Sequence, residues 1–437
     1  MFAADYENSP ATLTPDLQEM QYELDFVRAV AKGWPHVAER FLKPFGAEAQ
    51  ADFKARQARP NFSDFLNPVA EAATGRLFRN EPELTPSSGR AAEIWNNIDG
   101  RGTSGSVWLR NLTRDALIAG QAFILVDYPQ VTEPLTRGQR YQQNLQSYWC
   151  SVTLDQVTNF DFTVINGQTL LTLFVFKEWV DERVDFKVTM VEQWRVLRLQ
   201  PDGSVTFELW RRATGIKGEP VLYQPPQPVV GAETIPVVSV NLRPQGFFKS
   251  RPVFIELAQQ TVDYYLTTSD MSRAHEMSSY PTLFAVGLPE KTESGEPLVV
   301  GPNSFVSSNN ANAKLEYVNS DGKGVELGMQ LLAAIRSKMA VNGLSFLEQT
   351  TQMAETATAK SIDRSTDNDK VAGWSQLITD AANQALEFTA QFEEIPTPTL
   401  EFKAPPAPAI PVAALQQPDP AAIDQQVLNQ NAQQTTF

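Results

Sequence analysis

The stretch that most constrains the fold is residues 250–287, where a long helical pattern runs directly into a strand pattern. Ser250 can serve as the N-cap, Pro252 suits the first turn, and Glu256 lies near the positive end of the helix dipole. These signals predict a helix over residues 252–276, roughly 37 Å long at 1.5 Å per residue. After Thr267 the helix is too polar for a membrane span.

The apolar residues of this helix occupy two faces, so both faces need partners. Two interpretations remain open, because periodicity does not separate them. The helix either packs on both sides within its own chain, or packs against its copy in a neighbouring subunit. Under the second interpretation the candidate subunit-interface residues are Phe254, Leu257, Val262, Tyr265 and Leu266.

The composition indicates a globular protein, because 42% of its 437 residues are hydrophobic. This length suggests about two to four domains. The single cysteine, Cys150, excludes an intramolecular disulfide, and its neighbours Tyr148 and Trp149 favour a buried structural thiol. No long apolar run or basic, signal-like N-terminus occurs, so we expect neither a membrane span nor a standard export signal.

The net charge of −15 bears on possible nucleic-acid partners. It disfavours a protein that grips phosphates through a broad basic surface. An acidic surface instead suits a protein that lets DNA pass without holding it.

Local patterns predict helices before a β-rich region. Apolar spacing predicts helices over residues 15–40, with a break at 33–35, over residues 62–78 with an interruption at Pro68, and over residues 106–119. Gly120 ends the last of these, and a short buried strand follows it. The period changes to two over residues 148–242, where Asp202-Gly203 marks a hairpin.

More helices are predicted after residue 287. The pattern over residues 324–341 predicts a helix, and residues 359–392 predict another. Strands are expected around residues 304–307 and 315–318, and the tail from residue 395 is expected to be extended or disordered. The residues predicted to share one side of the helix over 324–341 are Leu327, Leu331, Leu332, Ile335 and Met339.

Catalytic motifs are scarce in the sequence. With only His36 and His275 as histidines, and no H-E-x-x-H, C-x-x-C or P-loop spacing, we predict no catalytic residues, no metal site and no cofactor. Asp181, Glu182 and Asp185 leave two alternatives open, a hydrolase acting on a glycosidic bond or a solvated hairpin loop. Their position at a turn between strands favours the loop.

Four blocks of sequence stand out as family signatures. The blocks are VAEAATGRLFRNEPEL at residues 69–84, NNIDGRGTSGSVWLRNLTRDALIAGQAFILVDYP at residues 96–129, ELAQQTVDYYLTTSDMSRAHEMSSYPTLFAVG at residues 256–287, and TQMAETATAKSIDRSTDNDKVAGWSQLITDAANQALEF at residues 351–388. They resemble the family of tailed-bacteriophage portal proteins, in particular a subgroup formerly a domain of unknown function. Together the blocks span most of residues 60–388, whereas the N-terminal helix and the tail match nothing in the family.

The resemblance implies an α+β, portal-like fold with a helical wing and crown, a long stem helix and a β-rich region that includes the clip. The implied parts are residues 1–147 as the mostly helical N-terminal part of the wing, 148–249 as the β-rich region including the clip, 250–280 as the stem helix, 281–358 as the rest of the wing with a candidate tunnel loop at 343–358, 359–394 as the crown helix, and 395–437 as a Pro/Gln-rich tail. The candidate tunnel residues are Leu344, Phe346, Glu348, Gln349, Gln352 and Glu355.

The resemblance also implies a function without enzyme activity. Portal proteins form a homo-oligomeric ring, usually a dodecamer, at one capsid vertex of the virion, after assembly in the host cytoplasm. Double-stranded DNA passes through the ring during packaging and ejection, and the capsid protein, the terminase and tail or head-tail adaptor proteins are its partners. About twelve chains at −15 each give on the order of −180 charges, which would oppose the sticking of DNA. The competing hypotheses are the hydrolase and a monomeric adaptor.

Overall fold

The computed structural model describes residues 9–46, 48–129, 137–212, 218–279, 282–287, 310, 312–318, 323–343 and 357–402 of the chain. Helices and antiparallel sheets are mixed along the chain, which confirms the α+β class. The chain divides into two compact units. Unit 1 comprises Met1–Ala31, Phe65–Ala258 and Gly343–Phe437, and unit 2 comprises Lys32–Asp64 and Gln259–Asn342.

The secondary structure follows the predicted order of helices, strands and helices. The described helices are α1 Pro15–Ala31, α2 Trp34–Phe41, α3 Gln50–Gln57, α4 Leu66–Leu77, α5 Arg90–Trp95, α6 Gly105–Ala119, α7 Arg137–Gln142, α8 Ile255–Ser279, α9 Lys323–Val341 and α10 Ala357–Glu393. The described strands are β1 Glu83–Thr85, β2 Gln121–Asp127, β3 Tyr148–Thr153, β4 Val157–Ile165, β5 Gln168–Val184, β6 Lys187–Leu199, β7 Val205–Arg211, β8 Val221–Pro228, β9 Val237–Asn241, β10 Pro244–Gly246, β11 Lys249–Ser250, β12 Thr282–Val286, β13 Lys314–Val318 and β14 Thr399–Glu401. None of the described helices combines the length and the apolar character that a membrane span requires.

The β-rich part of unit 1 contains two antiparallel sheets. Five strands are ordered β4-β5-β6-β7-β8, and three are ordered β3-β2-β9. The hairpin between β6 and β7 turns at Asp202, whose carboxylate accepts hydrogen bonds from the backbone N–H and the hydroxyl of Ser204, while Gly203 has a φ of 85°. This turn confirms the hairpin that the Asp-Gly pair predicted.

The main core of unit 1 lies where α1, β2 and one face of the five-stranded sheet meet. Leu17 and Leu24 of α1 are buried there with Phe123 of β2 and Phe174 of β5. The Phe123 and Phe174 ring centroids are 5.3 Å apart. Full burial of side chains of this size stabilises the fold by about 1.5–3 kcal/mol each.

The connection from α6 to β2 depends on Gly120. Its φ is 84°, in the left-handed region, and a Cβ there would lie 2.2 Å from the carbonyl oxygen of Arg251. Only glycine combines this backbone conformation with so close an approach, which confirms the predicted helix end. The strand that follows is central in its sheet, with β3 and β9 paired on either side, and side chains such as Phe123 are buried in the main core.

Two local predictions were wrong. Ser250 does not cap α8, which begins at Ile255. Lys249–Ser250 instead forms β11, and the Ser250 hydroxyl donates to the Gly120 carbonyl at 2.8 Å, so tertiary pairing replaces the cap. Pro68 does not interrupt α4, because it lies in the first turn, where its missing N–H costs nothing.

The first part of the C-terminal tail is extended and ordered. β14 pairs antiparallel with β1, with Leu400 opposite Leu84. Asn383 of α10 fixes the strand by accepting from the Leu400 N–H at 2.7 Å and donating to its carbonyl at 3.2 Å. Residues 403–437 and the expected strand at 304–307 lie outside the described residues.

Candidate functional site

The predicted stem-interface residues lie on α8, or directly before it in the case of Phe254, and are mostly buried in the single chain. Phe254, Leu257, Val262 and Tyr265 are buried, and Leu266 is half-buried. Phe254 packs edge-on against Trp374 of α10, with the ring centroids 6.1 Å apart. The assignment of these residues to a contact between subunits stays a prediction.

The predicted tunnel residues lie outside the described residues. They are Leu344, Phe346, Glu348, Gln349, Gln352 and Glu355. Their assignment to a channel stays a prediction from the resemblance.

The three carboxylates proposed for a hydrolase lie at the exposed tip of the hairpin formed by β5 and β6. Asp181 and Glu182 are adjacent in β5, so their side chains point to opposite faces of the sheet and cannot flank one substrate bond. Glu182 is paired with Arg211 at 2.6 Å, and Asp185 lies in the turn with a φ of 52°. The described residues contain no group of three potential metal ligands. Nothing in this geometry supports hydrolysis.

The structure reveals an apolar surface on α9 that the sequence pattern did not distinguish. Ile335 and Met339 are buried, whereas Leu327 is 64% exposed and Leu331 is 52% exposed. The predicted residues share one broad side of the helix, but they differ in burial across it, because each four-residue step advances about 40° around the helix. Over three steps the row turns by about 120°, which separates its ends.

The exposed residues form a stripe of their own. Helical geometry of 100° per residue brings Leu327, Leu331, Ala334 and Val341 close together around the helix axis, and all are exposed. We call these four residues the outer α9 surface. Val341 is 76% exposed, so the stripe is exposed to its C-terminal end, although Lys338 lies on the same side of the helix.

Within unit 2, α9 is held closely against α8. A Cβ at Gly328 would lie 2.4 Å from Cγ of Met271, so the missing side chain permits the contact. The buried Ile335 and Met339 continue this inner face of α9. The outer α9 surface is therefore carried on a helix whose position is fixed by packing.

A buried carboxylate fixes the second half of α8 in unit 2. The Glu48 side chain is fully buried and accepts hydrogen bonds from Arg56 and from Nη1 of Arg273, the latter at 2.6 Å. The Arg56 guanidinium lies 4.3 Å from the Phe45 ring centroid. The hydrogen bond from Arg56 is the main cause that holds the pKa of Glu48 below its ordinary value.

Other polar contacts continue along the same part of α8. Asn61 donates to Ser272 at 3.1 Å, and Arg59 pairs with Glu276 at 3.1 Å. These contacts explain why the helix becomes polar after Thr267, because that part binds the segment around α3. No local sequence pattern indicates this contact, because Glu48 and Arg273 are 225 residues apart.

Comparisons with known proteins come from a family model and from solved structures. A family described as a domain of unknown function (DUF4055) matches residues 253–393, which are 141 of the 437 residues. This span includes α8, α9 and α10. No curated protein matches the chain.

Two solved structures share a weak overall similarity with the chain. One is described as the neck of an empty GTA particle computed with C6 symmetry, with 11% identity, a TM-score of 0.41, and coverage of 92% of this chain and 94% of that chain. The other is the neck of a native GTA particle computed with C12 symmetry, with 9% identity, a TM-score of 0.40, and coverage of 79% and 82%. Both TM-scores lie below 0.5, so neither similarity carries an argument about this chain.

Proposed function

We propose that this protein is a portal-type structural subunit that forms a ring at one capsid vertex of a tailed-phage virion. The ring is the conduit for double-stranded DNA in packaging and ejection, and the docking platform for terminase and for tail or adaptor proteins. The four sequence blocks that resemble portal proteins support this function. Two of them, at residues 256–287 and 351–388, lie inside the span matched by the family of unknown function.

The structural observation that carries the proposal is the exposed outer α9 surface. Its large side chains are 52–76% exposed, so covering each of them would contribute roughly 1–2 kcal/mol, about the exposed share of the value for full burial. The close contact of Gly328 with Met271 holds α9 in place in the single chain. Less conformational entropy is therefore lost when subunits associate through this helix.

A ring covers such a surface in every copy. In a heterologous contact, one patch of each subunit binds a different patch of the next subunit. When the rotation between subunits closes the ring, this patch is covered in every subunit. We therefore assign the outer α9 surface to the contact between neighbouring copies. About twelve copies, each with a net charge of −15, would also carry an acidic charge that opposes the sticking of DNA to exposed surface.

The ring is tested by mass photometry and negative-stain microscopy of the purified chain. We expect closed rings with a central hole, and we expect the double variant Leu327→Asp with Leu331→Asp to dissociate them without a lower melting temperature. Tyr22→Asp is the matched control, because Tyr22 is 75% exposed on α1, outside the proposed contact. A chain that stays monomeric at high concentration would contradict the proposed ring and favour a monomeric adaptor. Rings that persist in the double variant would show that the subunit contact does not use the outer α9 surface.

The conduit is tested through the candidate tunnel loop at residues 343–358. In this proposal Leu344, Phe346, Glu348, Gln349, Gln352 and Glu355 face the passing DNA. We expect Glu348→Lys and Glu355→Lys to lower DNA packaging or retention while rings persist, because a cation in the channel would hold phosphates. The control is Glu219→Lys, the same charge change at an exposed residue of the β-rich region. Unchanged packaging in both loop variants would refute their place in the channel.

A further inference from the structure

The five-stranded sheet carries a second apolar surface on the face opposite the main core. Trp194 of β6 and Trp210 of β7 lie directly opposite each other in register, and directly opposed residues share a face. At the base of this surface, Trp194 packs with Val175 and Val196. Towards the hairpin tip the same face continues through Trp179 and Met190, because residues two apart in a strand also share a face.

This face is partly uncovered. Trp179 is 52% exposed and Met190 is 57% exposed, and Leu222 of β8, opposite Trp210, is exposed as well. We call Trp179, Met190, Trp194, Trp210 and Leu222 the tryptophan face. The ion pair of Lys177 and Glu192 lies on the same face, between Trp194 and the exposed Trp179 and Met190. Exposed apolar side chains beside such polar groups are typical of a binding surface.

The buried end of the tryptophan face contains two hydrogen-bond donors without acceptors. Trp194 is almost completely buried, and its indole Nε1 has no acceptor among the described residues. The same holds for the buried Nε1 of Trp210. A buried indole N–H normally donates to an acceptor. The two indoles without acceptors therefore indicate that a group with an acceptor oxygen binds beside them.

The path of the N-terminal segment identifies a candidate for that group. Leu13 packs against the main core on one face of the sheet, whereas Ala11 packs against Val175 and Trp194 on the other. Between these two contacts, the Pro10 carbonyl accepts a hydrogen bond from Thr158 of the edge strand β4 at 2.7 Å. The chain therefore crosses this edge, and residues 1–8 connect to it at the base of the tryptophan face.

We propose that residues 1–8, with the sequence MFAADYEN, bind along the tryptophan face of their own chain. The distance from Val175 to Trp179 along β5 is about 13 Å, and eight extended residues reach about 26 Å, so the segment is long enough. Phe2 and Tyr6 supply aromatic rings for the exposed apolar side chains. Backbone carbonyls and the Asp5 carboxylate supply the acceptors that the two indoles lack.

The tether favours this occupant over the same segment of a second copy. Because Ser9 is already fixed beside the face, the effective concentration of residues 1–8 is on the order of millimolar. This proposal does not depend on a ring or on any role in DNA packaging.

The test uses the full chain with Tyr6 replaced by the photo-crosslinker p-benzoylphenylalanine. After irradiation, peptide mapping should locate the crosslink on β6 or β8, at or near Met190 or Leu222. Mixing isotope-labelled and unlabelled chains should show that both ends of the crosslink belong to one chain. The matched control places the same photo-crosslinker at Tyr22, an exposed residue of α1, where no crosslink to the tryptophan face is expected. A crosslink between chains, a crosslink elsewhere, or none from Tyr6 would overturn the proposal.

A second measurement removes the segment. Deletion of residues 2–8 should shift the tryptophan emission to longer wavelength and increase its quenching by acrylamide. A peptide with the sequence of residues 1–10 should reverse both effects, whereas the same peptide with Phe2→Ala and Tyr6→Ala should not. Emission that is unchanged by the deletion would contradict the proposal.

Discussion

Arg56 donates two parallel hydrogen bonds to Glu48, from Nε to Oε1 at 3.0 Å and from Nη2 to Oε2 at 2.8 Å. The Glu48 side chain is fully buried, and Arg273 of α8 donates to the same carboxylate. One carboxylate thus joins two arginines that are far apart in sequence. Loss of the Glu48 carboxylate would leave the buried Arg56 guanidinium without its main partner. An unpaired buried charge strongly destabilises the fold.

Glu48→Gln should lower the free energy of unfolding at neutral pH. The pKa of Glu48 is lower in the folded chain than its ordinary value of 4.5, so its stabilisation is present above that value. The stabilisation is lost as the pH falls through the folded pKa. Urea unfolding should therefore show a smaller loss of stability on acidification in the variant than in the native chain. Glu276→Gln, which breaks the exposed pair with Arg59, is the control and should change little.

Gly120→Ala should destabilise unit 1 by more than about 2 kcal/mol, because the new Cβ would meet the Arg251 backbone and the φ of 84° strains any other residue. Gly75→Ala is the opposite case, within α4 and with open space around it. It should stabilise the chain by about 0.5–1 kcal/mol. Thermal and urea unfolding of the two variants measure both effects. Equal stability of the two would contradict the close approach at Gly120.

Thr389→Val should cost about 1–3 kcal/mol. The Trp149 indole N–H donates to the Thr389 hydroxyl at 2.9 Å in a buried contact between β3 and α10, and valine would leave that donor unpaired. Thr379→Val is the control in the same helix, because the Thr379 hydroxyl donates only to the Ser375 carbonyl one turn earlier. A similar loss of unfolding free energy in both variants would show that the indole contact contributes nothing specific.

Cys150 should react slowly with thiol reagents at neutral pH. Burial raises the pKa of its thiol to about 11, so about one thiol in a thousand is ionised at pH 8. The reaction rate should rise about tenfold for each pH unit up to that value. A cysteine introduced by Tyr22→Cys, at an exposed position, is the comparison and should react much faster. Equal rates at the two positions would contradict the raised pKa of the half-buried Cys150 thiol.

Local chemistry made several elements predictable. Residues adjacent in sequence predict α6, the glycine that ends it and the buried strand β2. They also predict the turn at Asp202 and Gly203. α8 and α10 were found within a few residues of their ends, because their apolar periodicity extends over many turns. Local chemistry failed at Ser250. This residue is suited to cap a helix, but it pairs instead in a two-stranded sheet.

The candidate site was less predictable than the fold. The row from Leu327 to Met339 indicated one apolar side, but only the packing of α9 on Met271 showed which of its residues are exposed. The sequence pattern does not separate the two interpretations of α8, because a helix with two apolar faces has the same pattern in a core and in an interface.

The sequence by itself determined the α+β class, the order of most elements and the turns, because periodicity, glycine and capping chemistry act between neighbours in the chain. The tertiary structure alone decided that Glu48 binds Arg273, that Ser250 bonds to Gly120, and that the tryptophan face opens at the hairpin tip. These contacts join residues far apart in sequence. Their partners depend on which surfaces the fold brings together, and no local pattern carries that information.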